Sequence, residues 1–299
     1  MLKLKRKFGD RYDGYRVKNA DPYYLLTPHI MKKRVDSQVF FEEELDITEL
    51  EKFIRKHGET DVPGLKMYHL IVAACIRLYS QRPYLNRFCM NGKVFARNRM
   101  LISMSILRGQ GDQAVSTDIK PEFELTDTLQ DVVQRFNQLV DENRQESTEN
   151  GTDSVATALT HMPCWLTRFI VNMLGFLDRR GWMPKALNEI SPFHNSLFIT
   201  NLGSIGIKPV YHHIYEFGTT SIFVAMGKKR TVREIEADGV IVKKRKIDIK
   251  IVADERICDG HYYATSMRML SRLLQHPEQL LEPPAEVIMD DGIVMKGRT

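Results

Sequence analysis

Apolar positions recur at three- and four-residue steps in several stretches of the chain and alternate with polar ones in others, so the two periods divide it into helices and strands. In LKMYHLIVAACIRLYSQRP, Leu70, Ala73, Ala74, Arg77 and Leu78 fall at helical spacing and Pro83 closes the run. So few polar residues interrupt this helix that it is expected to be largely buried. Leu129, Val132, Val133, Phe136, Leu139 and Val140 mark another helix; Leu166, Phe169, Ile170, Met173, Leu174 and Leu177 mark a third, closed by DRRGW. The stripe of this third helix is expected to pack on the protein's own core or on a neighbouring subunit, in preference to a membrane surface or a lid. Further helices are predicted from Asp46 and Thr48 to Gly58, and over YYATSMRMLSRLLQH after Gly260.

Strand-like runs fill much of the rest. NRFCMNGKVFARN reads as a hairpin turning at Asn91-Gly92, LISMSIL as the strand after it, and SLFIT and TSIFVAMG as two more. TVREIEADGVIVKKRKIDIKIVAD reads as a long hairpin turning at Asp238-Gly239. Residues 1–27 are polar, rich in tyrosine and without clear periodicity, and read as an arm packed on the body. GQGDQ (109–113) is a polar loop, ESTENGTDS (146–154) the clearest linker, and residues 283–299 a tail of doubtful order.

Composition narrows the class. With 299 residues, 43% hydrophobic and 27% charged, the chain is an ordinary globular protein long enough to fill a core. A net charge of +5 is mild, and the basic runs at MLKLKRK and KKRK read as solvated faces, so nucleic acid is not an expected partner. The greasiest stretch, CWLTRFIVNMLGFL, is broken by Arg168 and Asn172, so no membrane span is expected. Cys75, Cys89, Cys164 and Cys258 form no CxxC pair and are read as reduced, buried thiols of a cytoplasmic protein. No phosphate-binding glycine loop is present, since GQGDQ fits neither common pattern. His69 lies inside the buried helix and is read as satisfying a core hydrogen bond. The adjacent His212 and His213 lack ligand-spaced partners, so no metal site is expected.

One stretch carries a family resemblance. ADERICDGHYYA, residues 253–264, resembles the HxxxDG signature of chloramphenicol acetyltransferases and of the acyltransferase component of 2-oxo-acid dehydrogenase complexes, where it often reads DHRxxDG. Asp254, Arg256, Asp259 and Gly260 match, and Glu255 stands where the histidine would. SLFITNLGSIGI, residues 196–207, resembles the family's FTISNLGxFGI turn and is followed by a matching SIFVAMG strand. HIMKKRVDSQVFFEEELDITEL and RPYLNRFCMNGKVF resemble the family's first helix and strand and its turn into a hairpin. The resemblance covers most of residues 28–281 and is weakest over about 145–190.

It implies an α/β fold, a two-layer sandwich of the chloramphenicol acetyltransferase type with a mixed sheet flanked by helices. The expected organisation is an arm at 1–27, an acyltransferase-like domain at 28–282 with a divergent insertion at about 145–190, and a tail at 283–299. It further implies a homotrimer, open to larger assembly, with acyl transfer at the subunit interface from a coenzyme A thioester to a thiol or hydroxyl acceptor and no bound cofactor. The oxyanion role falls on Thr200, beside Asn201 and the glycine turn. Asp259 is expected to pair with an arginine and, with Arg256 and Gly260, to fix the loop. The base position falls on Glu255, with His261, His212 and His213 as candidate substitutes. A carboxylate is a weaker base near neutrality than an imidazole and repels a developing oxyanion unless protonated, although burial can raise its basicity. The alternative is therefore a catalytically inactive scaffold or ligand-binding homologue, in which Glu255 is held by Arg256 or by a lysine of a neighbouring subunit. A third reading gives Glu255 another reaction, such as thioester hydrolysis. No lipoyl-carrying or subunit-binding segment is read ahead of the body, so a free-standing protein is expected.

Overall fold

The computed structural model describes residues 4–108, 115–145, 157, 159–237 and 239–293. The loop at 109–113, the linker at 146–154 and Asp238 lie outside them.

The long strand β11 (Ile241–Asp254) organises the main sheet. β2 (Gln38–Asp46) pairs antiparallel along one edge of it, from Asp254↔Gln38 to Lys246↔Asp46. The other edge takes β9 (Ile222–Met226) and, further along, β10 (Arg230–Ile235), both antiparallel. β8 (Leu197–Asn201) then runs parallel to β9 and, on its far side, to β5 (Met100–Arg108). β6 (Val115–Ile119) and β7 (Glu122–Phe123) close antiparallel on β5. The sheet is thus mixed.

Alternation along β11 decides which face is buried. Ile247, Ile249, Ile251 and Ala253 join one large core with α2 (Thr48–His57), α3 (Met67–Gln81), α4 (Leu129–Gln145) and α7 (Gly260–Gln275). Residues of the other parity, Phe198, Phe223 and Val252, form a smaller cluster with Ile214 on the opposite face. As expected, α3 is buried along nearly its whole length. Its one cation, Arg77, donates to the carbonyl of Gln279 at 2.8 Å and to that of Glu282, tying the helix to the chain beyond α7.

A second, three-stranded sheet joins β1 (Gly14–Arg16), β4 (Lys93–Arg97) and β3 (Arg87–Met90). Its hairpin turns at Asn91 and Gly92, both with positive φ, which is why the Asn-Gly pair is required there. The arm packs through this sheet, with Arg11, Asp13, Tyr15 and Val17 buried.

Three features depart from the sequence reading. Residues Pro22–Ile30 form a helix, α1, where only turns were read; Asp21 caps it and a proline occupies its first turn. The described part of the tail is anchored to the body: Asp290 makes a two-pronged buried pair with Arg87, both bonds 2.6 Å, and the backbone N–H groups of Lys18 and Asn19 donate to the carbonyl of Gly292. A short segment without periodicity gives no sign of such anchors. Cys164 is exposed, unlike the other three cysteines. It opens α5 (Cys164–Arg180), whose aromatic residues are exposed and do not pack on the chain's own core. The short α6 (Lys185–Ile190) follows. No helix among the described residues is long and apolar enough to cross a membrane.

His69 sits in the first turn of α3, 1% exposed, with its Nδ1 accepting from the Lys66 N–H at 3.2 Å. Protonation would place a proton where that N–H already points. Burial, helped by Lys66, pulls the imidazole down from 6.5 to about 4. Between those values the unfolded chain binds the proton and the folded one does not, so stability is complete above pH 6.5 and falls as the pH drops toward about 4. The expected loss is about 3 kcal/mol across that window. Urea denaturation at stepped pH should show a shallower slope for His69→Gln, and an unchanged slope would contradict the assignment.

Candidate active site

The DERICDG stretch is a strand end, a tight turn and a helix start. Asp254 is the last residue of β11 and has no solvent exposure. Its carboxylate accepts from Arg256 Nε at 2.8 Å and Nη2 at 2.7 Å, from the Arg256 backbone N–H and from the Ser37 hydroxyl. Arg34, also buried, brings its Nε to 3.8 Å, and its Nη groups donate to the carbonyls of Tyr215, Glu216 and Cys89. Arg256 Nη1 donates to the carbonyl of Met31 at 3.1 Å. Burial opposes both guanidinium charges. It prevails at Arg34, whose pKa is lowered, whereas Asp254 outweighs it at Arg256, whose pKa is raised.

The structure therefore reassigns two partners. Asp259 carries no arginine among the described residues. Its Oδ1 accepts from the Tyr262 N–H at 2.5 Å, capping α7, and its Oδ2 accepts from the Tyr24 hydroxyl at 2.6 Å, which holds the carboxyl below its usual range. The arginines gather on Asp254 instead. Arg256 is consequently not a partner for Glu255, which the inactive-scaffold reading had allowed. Glu255 anchors through its backbone N–H, which donates to the Ser37 carbonyl at 2.8 Å, while its side chain is exposed and unpaired among the described residues. A Cβ added at Gly260 would meet nothing, and nothing in the structure explains that glycine.

The second motif builds a different place. Thr200 lies on β8, half-buried and opposite Ala225 of β9. Two positions from Phe198, it shares the sheet face that the helices leave open. After Asn201 the chain makes one short helical turn and leaves it at Gly206, with φ of +77°. Gly203 lies so close to the Gly227 carbonyl that a Cβ would sit 2.5 Å from its oxygen, so the turn after β8 and the end of β9 interlock.

The register shows that one chain keeps Thr200 and Glu255 apart. Thr200 aligns with Ala225 and Ala225 with Lys250, five residues before Glu255 along β11. At ~3.3 Å per residue and ~4.8 Å per strand, the separation is roughly 19 Å.

Of the candidate histidines, His261 is exposed in the first turn of α7. His212 stacks on Phe223 at 4.2 Å and His213 on His212 at 5.0 Å, while Phe223 stacks on Phe198 at 4.7 Å. These four rings form one column on Thr200's face of the sheet. Among the described residues no group of three or more His, Cys, Asp or Glu could hold a metal ion. A cavity of about 770 Å³ opens beside Arg256, lined by Lys32, Arg34 and Glu216 and walled by Asn172, Gly175 and Arg179 of α5; it reaches neither Thr200 nor Glu255. Arg34, Ser37 and Tyr24 are the site residues that sequence reasoning missed. None sits in a periodic pattern, and the HIMKKRVDS run gave the only local sign of Arg34.

Comparison with known proteins places this geometry. Residues 189–282, which contain both motifs, match the family model of the 2-oxoacid dehydrogenases acyltransferase catalytic domain. A probable dihydrolipoamide acetyltransferase from Listeria monocytogenes superposes with a TM-score of 0.54 at 14% identity, covering 84% of this chain and 92% of that one. The chain adopts an acyltransferase fold. The cubic core of the pyruvate dehydrogenase multienzyme complex shares it, with a TM-score of 0.53, 15% identity and coverage of 87% and 88%. So does a chloramphenicol acetyltransferase, at 0.51, 8% identity, 84% and 94%. No curated protein matches by sequence. Within this acyltransferase fold the resemblance read from the two motifs holds, as does the mixed sheet flanked by helices.

If Asp254 is the anchor of the loop, removing its charge strands two buried guanidinium groups. Asp254→Asn is expected to cost about 3–5 kcal/mol, whereas Asp259→Asn, which keeps a capping oxygen, costs under about 1 kcal/mol. Urea midpoints of the two variants check this, and equal losses would refute the ranking.

Proposed function

We propose that the protein transfers an acyl group from a coenzyme A thioester to a thiol or hydroxyl acceptor, at an interface where Glu255 of one copy faces Thr200 of another. The observation that carries this reading is the separation of roughly 19 Å within one chain, set by the strand register, between a carboxylate at a rigid strand end and a hydroxyl on the open sheet face. A homotrimer of the fold supplies such a meeting.

In this reading Glu255 takes the proton of the acceptor's S–H or O–H as that atom attacks the thioester carbonyl. The Thr200 hydroxyl donates to the oxyanion that forms. When the tetrahedral intermediate collapses, the C–S bond to coenzyme A breaks and the departing thiolate recovers the proton from Glu255. The clamp of Arg256 and Arg34 on Asp254 holds the loop while leaving Glu255 unpaired. His212 and His261 are the alternative bases, His212 sharing Thr200's face and His261 lying beside the Glu255 turn.

A second reading, assembly or ligand binding without turnover, is favoured by the exposure of Glu255 in the single chain. Burial is what makes a carboxylate a competent base, so a facing copy must provide it.

The test is free-thiol release from a panel of acyl-CoA thioesters with candidate acceptors. Glu255→Gln and Thr200→Val are each expected to lower kcat/KM by about a hundredfold or more. Co-assembling the two variants from a denatured mixture should restore part of the activity, because some interfaces then hold an intact Glu255 opposite an intact Thr200. Native protein that stays inert while Glu255→His gains turnover would establish the second reading.

A further inference from the structure

We propose that the outer face of α5 is a peripheral docking surface for an anionic lipid bilayer. The helix presents Trp165, Phe169, Met173 and Phe176 at steps of three and four residues, between 42% and 71% exposed, and Trp182 follows just past its end at 63%. Single exposed apolar residues are commonplace, but an aromatic row the length of a helix is a contact surface in want of a partner.

Charge selects the partner. Arg168, Arg179, Arg180 and Lys185 are exposed along the same segment. Between residues 159 and 188 the only acid is Asp178, and it is withdrawn: 2% exposed, bonded through its carboxylate to Arg11 at 3.0 Å, with His194 at 3.2 Å. Burial raises that carboxyl, but His194 and Arg11 outweigh it and bring it to about 2, so the charges cancel inside and the surface outside is left purely cationic. Arg180 lies over the rings of Phe176 and Trp182, at 5.0 and 5.7 Å, with its stem along apolar surface and its charge at the rim. Aromatic rings seated at headgroup depth beside guanidinium groups match the anionic bilayer interface.

A second cationic element is tethered alongside. Arg11 donates to the carbonyl of Asp178 at 2.5 Å and packs beside Gly181. Shortly before it the chain carries Lys5, Arg6, Lys7 and a fully exposed Phe8, so even the far end of this run is held within roughly 20 Å of Arg11, at the end of α5.

Trp165 and Trp182 are the two tryptophans of the protein, so its intrinsic tryptophan emission reports this surface alone. Full-length protein is titrated with vesicles of phosphatidylcholine with and without phosphatidylserine, reading emission and co-sedimentation. The expected result is a blue shift and sedimentation with the anionic vesicles, weakened by salt and reduced about tenfold or more by Arg168→Glu combined with Arg179→Glu. Should that variant fold poorly, the salt series on native protein tests the same electrostatic requirement. No shift, equal binding to pure phosphatidylcholine, or a shift that follows protein concentration without lipid would overturn the proposal, the last by showing that a second copy covers the helix.

Discussion

A carboxylate with no access to water, Asp254, lies between two buried guanidinium groups, and segments remote in sequence meet because of it. Removing such charges from water costs several kcal/mol each, which is recovered only when every donor finds an acceptor. Arg34 approaches that condition through its two Nη groups, which donate to the carbonyls of Cys89, Tyr215 and Glu216, while its Nε stays 3.8 Å from Asp254 without a hydrogen bond; Arg256 reaches Met31. The hairpin of the small sheet, the loop below the ring column and the chain leading into β2 are thereby fixed to the end of β11. The position of Glu255 is a by-product of that clamp, since every neighbour is held while its own side chain is not.

The sheet divides the labour between its faces. One face carries four helices and the large core, which makes β11 a rigid rail. The other carries a thin apolar cluster, the column of His213, His212, Phe223 and Phe198, and Thr200. Chemistry placed there borrows its rigidity from the opposite layer, and the close approach of Gly203 to Gly227 transmits that rigidity into the turn after Thr200.

Much of this was legible in the sequence. The Asn91-Gly92 turn, the buried helix at Met67–Gln81 and the pairing of β10 with β11 follow from local chemistry that tertiary contacts reinforce. Both motifs also declared their strand ends and turns. What stayed hidden depends on partners far along the chain: Asp259 is satisfied by Tyr24, 235 positions away, and no local pattern distinguishes that from an arginine partner. For α5, periodicity reveals that an apolar stripe exists but not what covers it, so exposure of Trp165 and Phe169 was not to be read from spacing. The helix at Pro22–Ile30 was detectable, through Asp21 followed by Pro22, yet its weak amphipathic pattern concealed it.

The pair between Arg87 and Asp290 spans 203 residues, and its consequence lies in time. A chain made from its first residue onward holds the two sheets and most helices before Asp290 exists. Until then Arg87, 4% exposed at its side chain when folded, has no counter-charge in its pocket. The small sheet that seats the arm therefore gains this counter-charge only after synthesis has passed the second motif and α7.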